Sequence, residues 1–422
     1  MDQTLAKNYA LILLRYGVNL QPGQKVVINA PVESAEFTEI LCREAFQYGA
    51  GDVRIEWNSS VHAAARIEHA DEECLCTFPD SMIAKYHELI DENWAVISLV
   101  SCQSPHFEGL SPERISAMQQ AKHRVFGFYS DAIMNSRVQW LVAAVATPTW
   151  AQMLFPDSPQ PLDTLWEAIF SVARVHRDDP LVHWQQHLDT LHRMRRVLND
   201  LSLASLEYHS SNGTDLHVGL PATHIWQGGN EKSGRVVPFA ANIPTEEVFT
   251  APHASDIQGT VYSTRPLVVY NQVVRDIRLT FRGGRVVEAS VSEGNEALQR
   301  LLQSDEGASH LGEVALVPCD SPISQIPYSF YETLIDENAS CHLALGAAYP
   351  TCIENGKNMS EEALIAANIN RSQIHVDFMV GADDMQIIGH TRDGESVPIF
   401  TNGKWSDMMR QRAAAIDAGP EE

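Results

Sequence analysis

Hydrophobic and polar positions change rhythm about half-way along the chain. The opening stretch, MDQTLAKNYALILLRYG, spaces its apolar residues for an amphipathic helix that Gly17 ends. From Lys25 onward short apolar runs, KVVINAP, DVRIEW, WAVISLVS and VFGFYS, alternate with helix-length amphipathic segments such as AEFTEILCREAFQYG and PERISAMQQAKHR. Such runs separated by helices predict a mainly parallel sheet flanked by helices. Two further helices, LDTLWEAIFSVARV and PLVHWQQHLDTLHRMRRVL, close this α/β domain, placed at residues 1–195.

After Leu201 the runs shorten and alternate, as in DLHVGL, PLVVY, IRLTF and VVEASV. Gly283 and Gly284 between IRLTFR and RVVEASV read as a two-residue hairpin turn, and Asp393-Gly394 and Asn402-Gly403 give the same cue. Residues 196–422 are therefore expected to form an α+β domain with mostly antiparallel strands, with RQRAAAIDAGPEE as a fraying tail. A chain of 422 residues suits two such cores better than one.

Charge narrows the partners. With 30 basic against 54 acidic side chains the formal charge is -24, which repels phosphate backbones and anionic bilayers, so neither nucleic acid nor membrane is expected. The N-terminus lacks the basic start and cleavage site of a secretory signal, and the apolar run at Trp140 to Ala146 is too short to span a bilayer, so a cytoplasmic protein is expected. Seven scattered cysteines form neither a disulfide framework nor a paired CxxC zinc site. No GxGxxG follows a strand and no GxxxxGK[ST] occurs, so a nucleotide cofactor has no support.

Candidate chemistry lies in the second half. On a strand over Ile374 to Val380, His375 and Asp377 would share one face while Val376 and Phe378 share the other. Imidazole and carboxylate donors of this kind suit zinc, cobalt or manganese, although an alternating polar face is more often just solvated. NIPTEEVFTAP sets Glu246 and Glu247 side by side, which by itself reads as a helix start capped by Thr245. His183, His187 and His192 lack suitably spaced carboxylates, apart from Asp189, and read as exposed or capping side chains. Cys341 beside His342 reads as a packing thiol. An HExxH helix is absent.

Taken in order, PTEEVFTAP, LGEVALVP, DENASCHLALGAAYP and HVDFMVG resemble the blocks of the aminopeptidase T and aminopeptidase S family of bacterial metal-dependent aminopeptidases. The resemblance implies metal ligands at Glu247, Glu313, His342, His375 and Asp377, and a catalytic role for Tyr349. It implies two divalent ions per chain, hydrolytic release of the N-terminal residue from peptides with a free N-terminus, and a homodimer. Glu313 could also carry the proton from water to the leaving amine. The AANINRSQ segment before His375 departs from the family's shorter turn, which bears on loop shape alone. Ring-cleaving dioxygenases of hydroxypyridine catabolism resemble the same family in fold, and in that alternative His342, His375 and Asp377 would hold non-haem iron(II). Retention of both Glu247 and Glu313 favours hydrolysis.

Overall fold

The computed structural model describes residues 1–102, 105–107, 109–176, 178–270 and 272–416. These fall into two compact units, Met1–Trp184 with Asn230–Pro244, and Gln185–Gly229 with Thr245–Glu422. The chain thus crosses three times, where the sequence suggested one crossing after residue 195. The returning segment escapes detection because its contribution to the first unit's sheet is a strand of two residues, Asn242–Ile243, too short to show a period.

In the first unit Lys25–Pro31, Asp52–Asn58, Ala95–Val100 and Trp140–Ala144 form a parallel sheet in the order second, first, third, fourth, and Asn242–Ile243 adds parallel to the last. The expected α/β architecture with a mainly parallel sheet is what forms. Val26, Ile28, Ala95, Ile97, Leu141 and Ala143 are buried along its strands. Tyr9, Phe37, Trp166 and Phe170 lock three helices together, with ring centroids 5.2 to 5.9 Å apart. One expected strand is absent: VFGFYS continues the helix Pro112–Met134, and Trp140–Ala144 supplies the fourth strand. Phe126, Tyr129 and Ile133 recur at helical spacing, and the first two pack on Tyr86, edge-on at 5.0 Å and tilted at 4.5 Å. A six-residue apolar run cannot reveal which period it follows; its neighbours decide.

The second unit is α+β with two large antiparallel sheets and a two-stranded one, Leu267–Val269 with Gln272–Val274. The larger has eight strands, with Asp215–Gly219 and Leu203–His209 at its centre and Gln386–Thr391 next to the latter. The smaller orders Val248–Thr250, Leu311–Leu316, His342–Gly346 and His375–Met379 side by side. One core joins them, taking Leu206, Val218, Leu279 and Ile387 from the larger sheet and Val314, Leu316, Leu343 and Phe378 from the smaller. Two hairpin cues form two-residue turns: Gly283 and Gly284 have φ of 57° and 82°, and Asn402 and Gly403 52° and 69°, the left-handed values a primed turn requires, whereas Asp393-Gly394 lies in a longer loop between Gln386–Thr391 and Ser396–Thr401. The tail expectation needs correction. Asp407–Ala415 is a helix capped by Ser406, and Met409 and Ala413 bury into the core, so this segment is held by packing. Residues 417–422 lie outside the described residues.

Candidate metal centre

The four-stranded sheet is buried along nearly its whole length, yet its two faces differ. Cross-strand register sets Glu313 opposite Ala344 and Ala344 opposite Asp377, so Glu313 and Asp377 point the same way. His342, two residues from Ala344, and His375, two from Asp377, join them on that face. The opposite face carries Val314, Leu316, Leu343, Leu345 and Phe378 into the core, with Val376 packed against it. The expected division of the His375 strand, with His375 and Asp377 on one side and Val376 and Phe378 on the other, is therefore what the fold uses.

Two local features make room for the polar face. Leu311 pairs with Leu345, but Glu313 pairs with Ala344, so a bulge at Gly312 inserts one residue and turns Glu313 away from the core face that Leu311 occupies. A side chain at Gly312 would sit 2.3 Å from the Ala347 carbonyl oxygen, so only glycine fits there. Beneath the polar groups the sheet presents Ala315, Ala344 and Gly346, which leave space above the backbone.

Glu247 enters from the residue just before the Val248–Thr250 strand. Its segment is not the helix start that Thr245 suggested; the chain there stays irregular and leads into the sheet edge. The neighbouring acids separate. Glu247 Oε2 lies 3.0 Å from His342 Nε2, whereas Glu246 Oε2 lies 3.8 Å from His187 Nε2, itself bonded to the Thr245 carbonyl at 2.7 Å.

Five side chains converge as two overlapping triads, Glu247 with Glu313 and His342, and Glu313 with His375 and Asp377. Glu313 belongs to both. Its Oε1 is 3.6 Å from His342 Nε2 and its Oε2 is 3.8 Å from His375 Nε2, so each oxygen faces a different triad. His375 Nε2 is also 3.5 Å from Asp377 Oδ1.

Both histidines are oriented for ligation. A carbonyl can only accept, so Nδ1 of His342, 3.2 Å from the Ser340 oxygen, and Nδ1 of His375, 2.7 Å from the Ala347 oxygen, carry the protons. That leaves each Nε2 aimed at carboxylates. Glu247 Oε2 and Asp377 Oδ1 are buried without a hydrogen-bond donor among the described residues. Acceptors and lone pairs meeting in a dry pocket are what a cation resolves, and the donor set of imidazole and carboxylate suits a borderline divalent ion.

Charge balance points the same way. Burial raises Glu313 to about 7 despite the pull of His342 and His375. Burial opposes a charged His375, but Asp377 and Glu313 carry it to about 10; His342 is likewise driven well above its ordinary range by Glu247 and Glu313 against its burial. Asp377, though buried, is held below the usual carboxylate range by His375. The carboxylates outnumber the imidazoles, so the pocket calls for positive charge, which protons on the Nε2 atoms or a cation between them would supply.

One further acid was missed in the sequence. Glu337 is buried beside Asp377 and Glu247, and burial together with their charges pushes its carboxyl well above the ordinary range. The available signal was the acidic pair of DENASCH ahead of an apolar strand. Only the fold separates the pair, because Asp336 turns away to accept the backbone N–H groups of Phe330 and Glu332 at 2.8 and 3.3 Å.

Tyr349 is half-buried next to the centre, its ring 4.9 Å from that of His375 and 6.2 Å from that of Phe249, edge-on to both. The helical histidines His183, His187 and His192 fall in neither triad. Cys341 packs in the core, its thiol against the Val317 carbonyl at 3.3 Å. No helix among the described residues is long and apolar enough to cross a membrane.

Residues 2–405 match the family described as Thermophilic metalloprotease (M29). The chain is 41% identical over 400 residues to Aminopeptidase 2 of Geobacillus stearothermophilus, covering 94% of this chain and 97% of that one. It superposes on wild-type AmpT from Thermus thermophilus with a TM-score of 0.88 at 36% identity, over 96% of this chain and 99% of that one. A 2,5-dihydroxypyridine dioxygenase from Pseudomonas putida KT2440 shares the fold at a TM-score of 0.53 and 11% identity, over 96% of each chain.

Proposed function

The chain belongs to the M29 family of thermophilic metalloproteases and is a metalloaminopeptidase, and from that premise we propose that it removes the N-terminal residue of peptides at a centre of two divalent cations. The observation that carries the number two is Glu313, whose two oxygens face different triads. Glu247, Glu313 and His342 would hold one cation, and Glu313, His375 and Asp377 the other. Zinc, cobalt or manganese held there supplies Lewis acidity, giving a nucleophilic water at neutral pH and a polarised scissile carbonyl.

The chain's own residues do the rest. A centre rich in carboxylates attracts the free α-ammonium of a peptide and repels an acidic N-terminal side chain. Glu313 receives the proton from the attacking water and hands it to the leaving amine. The Tyr349 hydroxyl donates to the oxygen of the tetrahedral species as negative charge develops, an interaction that strengthens in the transition state. The bulged strand and the fixed imidazole tautomers keep these groups in place before substrate arrives.

The test is direct. Purified protein is assayed on leucine p-nitroanilide, on its N-acetylated form, and on 2,5-dihydroxypyridine with oxygen electrodes, with bound metal counted in parallel. Hydrolysis confined to the free amine, lost on chelation and restored by zinc, cobalt or manganese, supports the proposal. Oxygen uptake with iron(II) and no anilide cleavage would overturn it. The dioxygenase alternative is disfavoured because a single iron on His342, His375 and Asp377 leaves Glu247 and Glu313 buried with no task.

A further inference from the structure

Four of the five proposed ligands stand on strands whose backbones are fixed by ladder hydrogen bonds to their neighbours. Glu247 does not. The ladder of its strand begins one residue later, with Val248 opposite Leu316, so Thr245–Glu247 needs another restraint if Glu247 is to hold its place. Behind it the chain is pressed close: a side chain at Gly228 would lie 2.6 Å from the Glu247 carbonyl oxygen, and Gln227 exchanges backbone bonds with Phe249 at 2.8 and 3.0 Å. Ahead of it two side chains hold the segment: His187, whose Nε2 bonds the Thr245 carbonyl at 2.7 Å, and Asn338, which reaches the residue next to Glu247.

Asn338 is fully buried, on the short turn Glu337–Ala339 that leads into the His342 strand. Its Oδ1 accepts the backbone N–H of Glu246 at 2.7 Å, immediately before Glu247. Its Nδ2 donates to the Leu334 carbonyl at 3.0 Å and to Glu337 Oε1 at 3.4 Å. One acceptor and two donors are used at once, a combination that an amide of this length supplies and that aspartate or leucine cannot.

We infer that Asn338 is a positioning residue for one half of the centre: by holding the Glu246 N–H it fixes Glu247, so that the triad of Glu247, Glu313 and His342 is set before a cation arrives. The inference rests on the two-cation reading above. It predicts a lopsided effect, because the triad of Glu313, His375 and Asp377 takes its geometry from the strand ladder, whereas the Asn338 side chain spends its hydrogen bonds on Glu246, Leu334 and Glu337. Loss of an outer partner of a metal ligand weakens affinity roughly 10- to 100-fold.

The experiment titrates cobalt(II) into the full chain, following visible absorption and counting bound metal by mass spectrometry. In Asn338→Leu, which keeps size but removes both polar functions, one of two cobalt affinities should fall about tenfold or more while the other stays within about threefold. Adding Glu247→Gln to this variant should cost little beyond Glu247→Gln alone, since both changes act on one triad. Asn338→Asp, which keeps the acceptor for the Glu246 N–H, should recover part of the loss. If Asn338→Leu does not fold, Asn338→Ser, too short to reach that N–H, carries the same expectation. Equal weakening of both ions alongside a lower Tm would make the role merely structural, and two unchanged affinities would remove it; either result overturns the inference. Wild type binding a single ion would instead sink the two-cation reading, and Asn338 would then stand or fall on whether its loss weakens that ion.

Discussion

The inner strands of the first unit's parallel sheet and the four-stranded sheet of the second are both shut away from water, but they are filled by opposite means. Strands such as Ala95–Val100 and Trp140–Ala144 bury aliphatic side chains, and burial there is its own stabilisation. The smaller sheet buries Glu313, His342 and Asp377 at 5, 1 and 7% exposure, groups whose transfer from water opposes folding unless charge is balanced. The lesson is that burial of a strand does not report what the strand is for. Where ionisable groups are buried in excess of their partners, the missing charge marks the site.

The largest expected effect falls on the residue common to both triads. Glu313→Gln should strip or weaken both cations and lower kcat/KM roughly four orders of magnitude, about 5.5 kcal/mol of transition-state stabilisation. Metal counting with kinetics checks it, and a fully loaded variant would break the claim that Glu313 serves both halves. The counterpart in the apolar sheet is Ile97→Ala, fully buried in the Ala95–Val100 strand. It should cost about 2 to 5 kcal/mol of stability in denaturant unfolding and leave metal content untouched.

Next comes Tyr349→Phe, which should keep fold and metal but lower kcat about ten- to a thousand-fold, about 1.4 to 4 kcal/mol, with little change in KM. Near-native kcat in the loaded variant would return Tyr349 to a packing role against Phe249 and His375.

A smaller effect tests a third way of burying an acid. Glu332 Oε2 is buried without a donor among the described residues, and burial, then the nearby Asp336, raise its pKa from 4.5 to about 7. The folded chain therefore keeps a proton that the unfolded chain releases at lower pH. Its contribution is fully present below 4.5 and is lost as pH rises through about 7. Glu332→Gln, neutral throughout, should gain on wild type over that window by roughly 1 to 3 kcal/mol, seen as a difference in unfolding free energy that widens from pH 5 to pH 8. A constant difference would mean that Glu332 is already ionised in the fold.

The sequence by itself determined the class of each half, because period and turn chemistry are local: apolar runs between helices for the first, Gly283-Gly284 and Asn402-Gly403 hairpins for the second. It also contained all five proposed ligands, since HxD on a strand and the blocks around Glu247, Glu313 and His342 survive as short contiguous patterns. Short elements escaped it. Asn242–Ile243 is too brief to have a period, VFGFYS is apolar in either geometry, and the helix Asp407–Ala415 owes its order to a core the sequence does not display. Tertiary structure alone decided which acid of the 336–337 pair faces the centre, choosing Glu337 over Asp336. It alone placed Glu313 between two triads, through a bulge at Gly312. The physical reason is that a side chain's direction at a bulge or an irregular segment depends on partners far along the chain, and in a period-two structure one inserted residue exchanges the core face for the site.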